Sequence, residues 1–209
     1  MFYGILDKKR QNLLPQLASL KNEFYLAGGT ALALQIGHRD SIDFDFFTTG
    51  DFDTKLQFQK IKKDLNTFKL TKIHEEKNTL TILVDNEIVL SFFGYNYPLI
   101  KEVINEKYLC LAAIEDIAAM KMSAILSRAS NKDYIDLYFI LQIHKLKDLL
   151  ELAEKKFPDI DINLILKSLV YFADIAMEPI NFKNEKTVDF EDVKAFLIKT
   201  IKNLILIQK

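Results

Sequence analysis

The apolar pattern changes period near residue 113, and that change constrains the fold more than any other feature of the chain. Before it, short alternating runs bounded by Gly, Asn and Asp have the period of two that strands require. After it, apolar residues recur at helical spacing over Ile114 to Arg128, Lys132 to Ile143, Leu146 to Lys156, Ile162 to Ala173 and Phe190 to Ile207. The pattern predicts an α+β protein. A mixed β-sheet flanked by helices is expected over residues 1–98 and a C-terminal helical bundle over residues 99–209, divided at the loop Tyr95-Asn96-Tyr97-Pro98.

Within the first half, Ile5, Leu6, Leu13, Leu14, Leu17 and Leu20 predict an opening amphipathic helix that Pro15 interrupts. A strand at Phe24-Tyr25-Leu26 runs into Gly28-Gly29, and Thr30 to Ile36 resumes as a helix that Gly37 ends. A helix is expected over Asp53 to Asn66. Strands follow over Lys69 to Glu76, Thr79 to Val84 and Glu87 to Phe93, the last two joined by a turn at Asp85-Asn86. Met177 to Thr187, with Pro179, is the long loop of the second half.

Composition removes several function classes. The 28 basic and 29 acidic side chains cancel, so no global positive field serves non-specific nucleic-acid binding. Cys110 is alone and cannot form an intramolecular disulfide, and no paired Cys/His spacing suggests structural zinc. Met1 to Lys8 carries charges where a signal peptide has its apolar core, and no apolar stretch is long enough to span a bilayer. The expectation is a cytoplasmic protein with no membrane partner.

The chemistry concentrates at Ile42-Asp43-Phe44-Asp45-Phe46-Phe47, where apolar and acidic residues alternate. On a strand, Asp43 and Asp45 project from one face with Cα atoms about 6.5 Å apart. Both carboxylates then reach a shared cation, and hard oxygen ligands that leave positions open for phosphates suit Mg²⁺. The plain alternative is a solvated strand face. Upstream, a strand running into Gly28-Gly29-Thr30 and a helix presents free backbone N–H groups and the Thr30 hydroxyl, which favour a phosphate; by itself the pair of glycines is also what a tight turn needs. Arg39 has two roles open to it, a phosphate contact or a salt bridge bracing Asp43. Ser41 can hydrogen-bond the backbone where the strand begins, and His38 reads as a turn residue.

Gly29-Thr30 followed twelve residues later by Asp43-Phe44-Asp45 resembles the signature of the polymerase-beta-like nucleotidyltransferases. The longer stretches Phe24 to Leu34 and His38 to Phe47 resemble the AbiEii/AbiGii toxin family, and the likeness continues at Glu115 to Lys121 and Lys132 to Tyr138. The resemblance implies a nucleotidyltransferase-like fold and a magnesium-dependent transfer of a nucleoside monophosphate from a nucleoside triphosphate. It also implies an RNA acceptor such as a tRNA 3′ end, a role as toxin in a toxin–antitoxin or phage-defence system, and a cognate antitoxin. Alternatives are a catalytically silent nucleotide-binding module and a protein phosphotransferase working from the same site.

By position in that family, Lys121 and Asp136 complete the site. Lys121 also lies on or beside the apolar stripe of Ile117, Ala118 and Ile125, where a lysine needs a partner, although a snorkelling lysine fits too. Asp136 is expected as a general base or as the partner that orients Lys121, its plain alternative being an intrahelical pair with Lys132. Asp133 is either a helix N-terminal charge or a substrate contact. Many enzymes of the superfamily carry a third carboxylate on a later strand, and the aligned position here is Ser91. Glu87 shares its face but lies about 13 Å along the strand. Either Asp136 supplies the missing acid or metal binding is weakened.

Overall fold

The computed structural model describes residues 1–207. A 3₁₀ turn at Tyr3–Ile5 leads into α1 (Lys8–Leu13), which Asp7 caps by accepting the Arg10 N–H. The chain then tightens into a 3₁₀ segment, Leu14–Asn22, with Pro15 in its first turn. Proline has no N–H for the α-helical ladder, so the expected single helix changes winding there. Leu13, Leu14, Leu17 and Leu20 are buried across the change.

The remaining elements of the sheet layer are β1 (Tyr25–Ala27), α2 (Gly28–Ile36), β2 (Phe44–Thr48), α3 (Thr54–Asp64), β3 (Leu70–Glu76), β4 (Thr79–Val84), β5 (Ile88–Gly94), β6 (Ile104–Asn105) and β7 (Cys110–Leu111). They form one seven-stranded sheet in the order β3-β4-β5-β2-β1-β7-β6. β2–β5 and β1–β7 are parallel and the other neighbours antiparallel, so the sheet is mixed, as the pattern predicts. Asp85 and Asn86 both take positive φ, 50° and 58°, the geometry of a tight hairpin turn.

One face of the sheet is apolar because every second residue of its central strands is. Phe44, Phe46, Leu80, Ile82, Leu90 and Phe92 are all buried there, and the Phe46 and Phe92 rings stack at 5.2 Å. Each such side chain contributes about 1.5–3 kcal/mol by leaving water. The opposite face carries the polar row Asp45, Ser91 and Thr81, adjacent across three strands.

The second half is helical, as expected: α4 (Ile114–Ser127), α5 (Asn131–Ile140), α6 (Leu146–Lys156), α7 (Ile162–Ser168) and α8 (Phe190–Ile207). α4 packs against α5, α6 and α7, and α8 closes over α5 and α6. α7 stops at Ser168, five residues short of its predicted end, because the Tyr134 hydroxyl draws in the carbonyls of Ser168 and Tyr171 at 2.8 and 2.9 Å. The division expected after residue 98 runs through the sheet. β6 and β7 lie beyond it, and β7 pairs Leu111 with Leu26 of β1. Two-residue strands are too short to show a period.

The connection is also pinned from the helical side. Asp116 accepts the N–H groups of Ile100 and Lys101 and the Lys156 ammonium at 2.8 Å, while Lys156 donates to the Pro98 carbonyl. Both side chains are fully buried.

Candidate active site

β1 ends at Ala27, and Gly28 turns the chain into α2 with φ +68°, a conformation costly for other residues. A Cβ on Gly28 would stand 3.1 Å from Asp45 Oδ2, and one on Gly29 would stand 2.5 Å from Arg39 Nη2. The turn is therefore packed directly against the acidic strand and its arginine. Thr30 is buried, its hydroxyl 2.7 Å from Ser41 Oγ and donating to the Asp43 carbonyl. Arg10 Nε takes the neighbouring Ile42 carbonyl at 2.7 Å. With these two carbonyls drawn to side chains, β2 begins at Phe44, and Asp43 stands exposed just ahead of it. Thr30 and Ser41 thus hold the strand in place through hydroxyl contacts.

Gly29, Arg39, Ser41, Asp43 and Asp45 line one cleft of about 620 Å³ with Lys121, Asp133 and, from beyond the sheet, Arg128, Lys132 and Glu178. The structure thus gathers the glycine turn, the acidic pair and the helical lysine around one space, with Gly28 behind Asp45.

Asp136 lies beneath that space and does not line it. It is fully buried, and four bonds fill its oxygens: His38 Nε2 at 2.7 Å, Arg39 Nε and Nη2 at 2.7 and 2.8 Å, and Lys121 Nζ at 2.6 Å. Burial alone would raise its pKa, but the Lys121 and Arg39 charges and the donated hydrogen bonds hold it well below the ordinary carboxylate range. An ionised carboxylate with no open lone pair and no path to the cleft is not a general base and does not replace a missing acid. Of the alternatives for Asp136, the geometry fits the orienting partner. The Lys132–Asp136 pair is not made either, since Lys132 reaches Glu178 at 2.7 Å.

The same contacts revise three neighbours. Arg39 does not brace Asp43; its fork grips Asp136, and Nη1 donates to the Asp40 carbonyl. His38 is fully buried, with its ring against Phe139. Burial lowers its pKa although Asp136 pulls the other way, and because Asp136 only accepts, Nε2 carries the proton. Lys121 also meets Asp133 Oδ1 at 2.8 Å, leaving Asp133 Oδ2 buried without a partner. Burial opposes its charge, but Asp136 and Asp133 more than offset this and raise its pKa. Two of its three N–H donors are engaged.

Asp45 is partly buried, and its pKa is pushed up to about 6, first by burial and then by Asp43, against the pull of Lys121 and Arg128. Ser91, the position aligned with a third carboxylate, is its register partner on β5. Glu87 lies ahead of that strand and is paired with Lys9. Among the described residues no group of three His, Cys, Asp or Glu side chains is arranged for a metal. The donor set nevertheless fits magnesium, which is commonly held by one or two carboxylates together with phosphate oxygens. Burial of Asp45 beside Asp43 is an electrostatic strain that such a cation would relieve.

Pattern reading missed the far wall. Residues 176–181 fold against the cleft: Ala176 bridges Ser130, Glu178 accepts from Ser130 Oγ and Lys132, and Asn181 bonds Asp40 through backbone and side chain. Met177 to Thr187 was legible only as a loop, and its pairing to residues some fifty and a hundred and forty positions away leaves no local periodicity. Arg128, at the end of α4, was equally silent.

The chain is similar to known proteins in sequence and in fold. The family described as nucleotidyl transferase AbiEii toxin, type IV toxin–antitoxin system, matches residues 12–97 and 95–199. An uncharacterized protein from Aquifex aeolicus (strain VF5) is 42% identical over 181 residues, covering 83% of this chain and 86% of that one. MenT4, a nucleotidyltransferase toxin from Mycobacterium tuberculosis H37Rv, shares the fold with a TM-score of 0.60 at 16% identity, over 93% of this chain and 82% of that one. JHP933 from Helicobacter pylori superposes with a TM-score of 0.53 at 18% identity, over 97% and 96%. No helix among the described residues is long and apolar enough to cross a membrane.

Proposed function

The chain belongs to the AbiEii nucleotidyltransferase toxin family, and on that premise we propose that it transfers a nucleoside monophosphate from a nucleoside triphosphate to an RNA acceptor, in the cytoplasm. The observation that carries this reading is the convergence of Asp43, Asp45, the Gly28-Gly29 turn and Lys121 on one cleft. Asp43 and Asp45 would hold Mg²⁺, which when bound supplies charge neutralisation at the triphosphate.

The chain's own residues do the positioning. Backbone N–H groups at the start of α2 would meet a phosphate, aided by the helix dipole. Thr30 and Ser41 fix the approach to β2 and so the spacing of the two acids. Lys121 keeps one N–H donor beyond those given to Asp133 and Asp136, and Asp136 sets its direction. Ser91 beside Asp45 cannot take the acceptor's proton as a carboxylate at that position would, so rate enhancement rests on orientation and charge.

A tRNA 3′ end is the acceptor to test first, with translation arrest as the toxic outcome and a separate antitoxin as the partner that restrains it. Incubating the protein and its Asp43→Ala variant with RNA and each α-labelled triphosphate decides the matter. Label entering RNA with the wild type alone is the expected result. Nucleotide binding with no label transferred from any triphosphate would instead favour the silent binding module that Ser91 suggests. Label in protein from the γ position alone would point to phosphotransfer.

A further inference from the structure

We propose that Arg128 is the cleft's direct contact for the nucleotide's triphosphate, an assignment that rests on the nucleotidyl-transfer reading. Four cations line the cleft, namely Arg39, Lys121, Arg128 and Lys132. Three are already neutralised by carboxylates: Arg39 by Asp136, Lys121 by Asp133 and Asp136, and Lys132 by Glu178. Arg39, Lys121, Asp133 and Asp136 sum to zero, with His38 neutral. Among the described residues Arg128 enters no ion pair and no side-chain hydrogen bond. Asp174, an acid of the nearby covering segment, is engaged by the Tyr171 hydroxyl instead.

Its backbone is nonetheless held. Arg128 N–H donates to the Ala124 carbonyl at 2.7 Å, closing α4, and the next residue accepts from Ala176 N–H at 3.0 Å. The guanidinium is therefore presented from a fixed point while its five donors stay free. It lines the same space as Asp43 and Asp45, where the phosphates of a nucleotide must lie beside the acids. A planar fork matches phosphate oxygens bidentately, which a compact ammonium does not. The triphosphate brings several negative charges into a cleft whose other cations are spoken for. Among the described residues Arg128 is the cleft cation with no counter-ion, and it meets those charges beside the one donor that Lys121 keeps.

Calorimetric titration of the full chain with MgATP, MgGTP, MgCTP and MgUTP, and with the monophosphate of whichever binds, tests this. For Arg128→Ala we expect triphosphate affinity to fall by about tenfold or more, the range of a charge-assisted contact. Monophosphate affinity should stay within about twofold, and Arg128→Lys should recover part of the loss. Circular dichroism melts confirm that the exposed substitution leaves the fold intact. Wild-type triphosphate binding that Arg128→Ala leaves unchanged overturns the assignment alone. So does a loss of RNA affinity in place of nucleotide affinity. A wild type that binds none of the four overturns the nucleotidyl-transfer reading and the assignment with it.

Discussion

Lys121 Nζ lies 2.6 Å from Asp136 Oδ2, while the Arg39 fork grips both oxygens of the same carboxylate. One fully buried acid thus ties α4, α5 and the segment leading to β2 together under the cleft. The chemistry above inherits its geometry from this ion cluster.

Replacing Asp136 with Asn leaves Lys121 and Arg39 buried with one counter-charge, Asp133, for both. Breaking a buried pair in this way costs about 3–5 kcal/mol. Urea denaturation of the two proteins at pH 7 reads the difference directly. Because the folded-state pKa of Asp136 is depressed, its stabilisation is present above the unfolded value of 3.8 and is lost as pH falls through the lower folded value. The gap between wild type and Asp136→Asn should therefore narrow only below about pH 4. A gap that is already small at pH 7 would remove Asp136 from the role of central counter-ion.

Asp45 behaves in the opposite sense. Its folded pKa is raised from 3.8 to about 6, so the folded state binds a proton more tightly than the unfolded chain, and stability falls as pH rises between those values. Asp45→Asn should consequently be more stable than wild type at pH 7.5 in chelator, by about 1–3 kcal/mol. That corresponds to a melting shift of roughly 2–10 °C for a chain of this size. At pH 4 the shift should vanish. Equal melting temperatures at both pH values would mean that Asp45 carries no such strain.

On the proposed reading the same raised value would govern metal uptake, since a magnesium ion held by Asp43 and Asp45 would have to displace the Asp45 proton. Apparent affinity should fall about tenfold per pH unit below pH 6 and level off above it. Calorimetric titration with MgCl₂ at pH 5, 6 and 7.5 measures this, with Asp43→Asn as a control that weakens binding at every pH. A flat profile would place the cation elsewhere.

Legibility in the sequence followed the range of the interactions. Alternation at Phe44 to Phe46, the glycine turn and the five helices are local patterns, and the structure contains each of them. Aligning one strand with a family pattern puts Ser91 at the third-acid position, and the parallel register sets that position beside Asp45. What could not be read was pairing between distant segments. Arg39 and Asp136 are 97 positions apart, and nothing near Arg39 distinguishes a phosphate ligand from a buried ion pair. Arg128 is marked by having no side-chain partner among the described residues, a property no motif carries.

Gly28→Ala tests how closely the turn and the acidic strand are fitted. The substitution forces a side chain into φ +68° and sets its Cβ 3.1 Å from Asp45 Oδ2. Strain of this kind costs about 1–2 kcal/mol, and the carboxylate has to move to relieve it. We expect a modest loss in urea stability but a loss of magnesium affinity exceeding that of Gly50→Ala, whose Cβ meets nothing within 4 Å. Magnesium affinity matching the Gly50→Ala control would show that Asp45 does not depend on the turn.

Ser91→Asp puts a third carboxylate beside Asp45 across parallel strands. Without metal, a further like charge at a position only 8% exposed must lower stability, by at least about 1 kcal/mol, and push the Asp45 pKa above its present value of about 6. With magnesium the added oxygen becomes a ligand, and the same charge turns favourable. The expected signature is a change of sign: the variant melts below wild type in chelator and gains more than wild type does when magnesium is added. If transfer is limited by the missing acid, label incorporation into RNA should rise as well. A variant that melts lower and gains no more from magnesium than wild type does would show that residue 91 lies outside the reach of the cation. The serine would then be a packing residue of the sheet rather than a vacant ligand position.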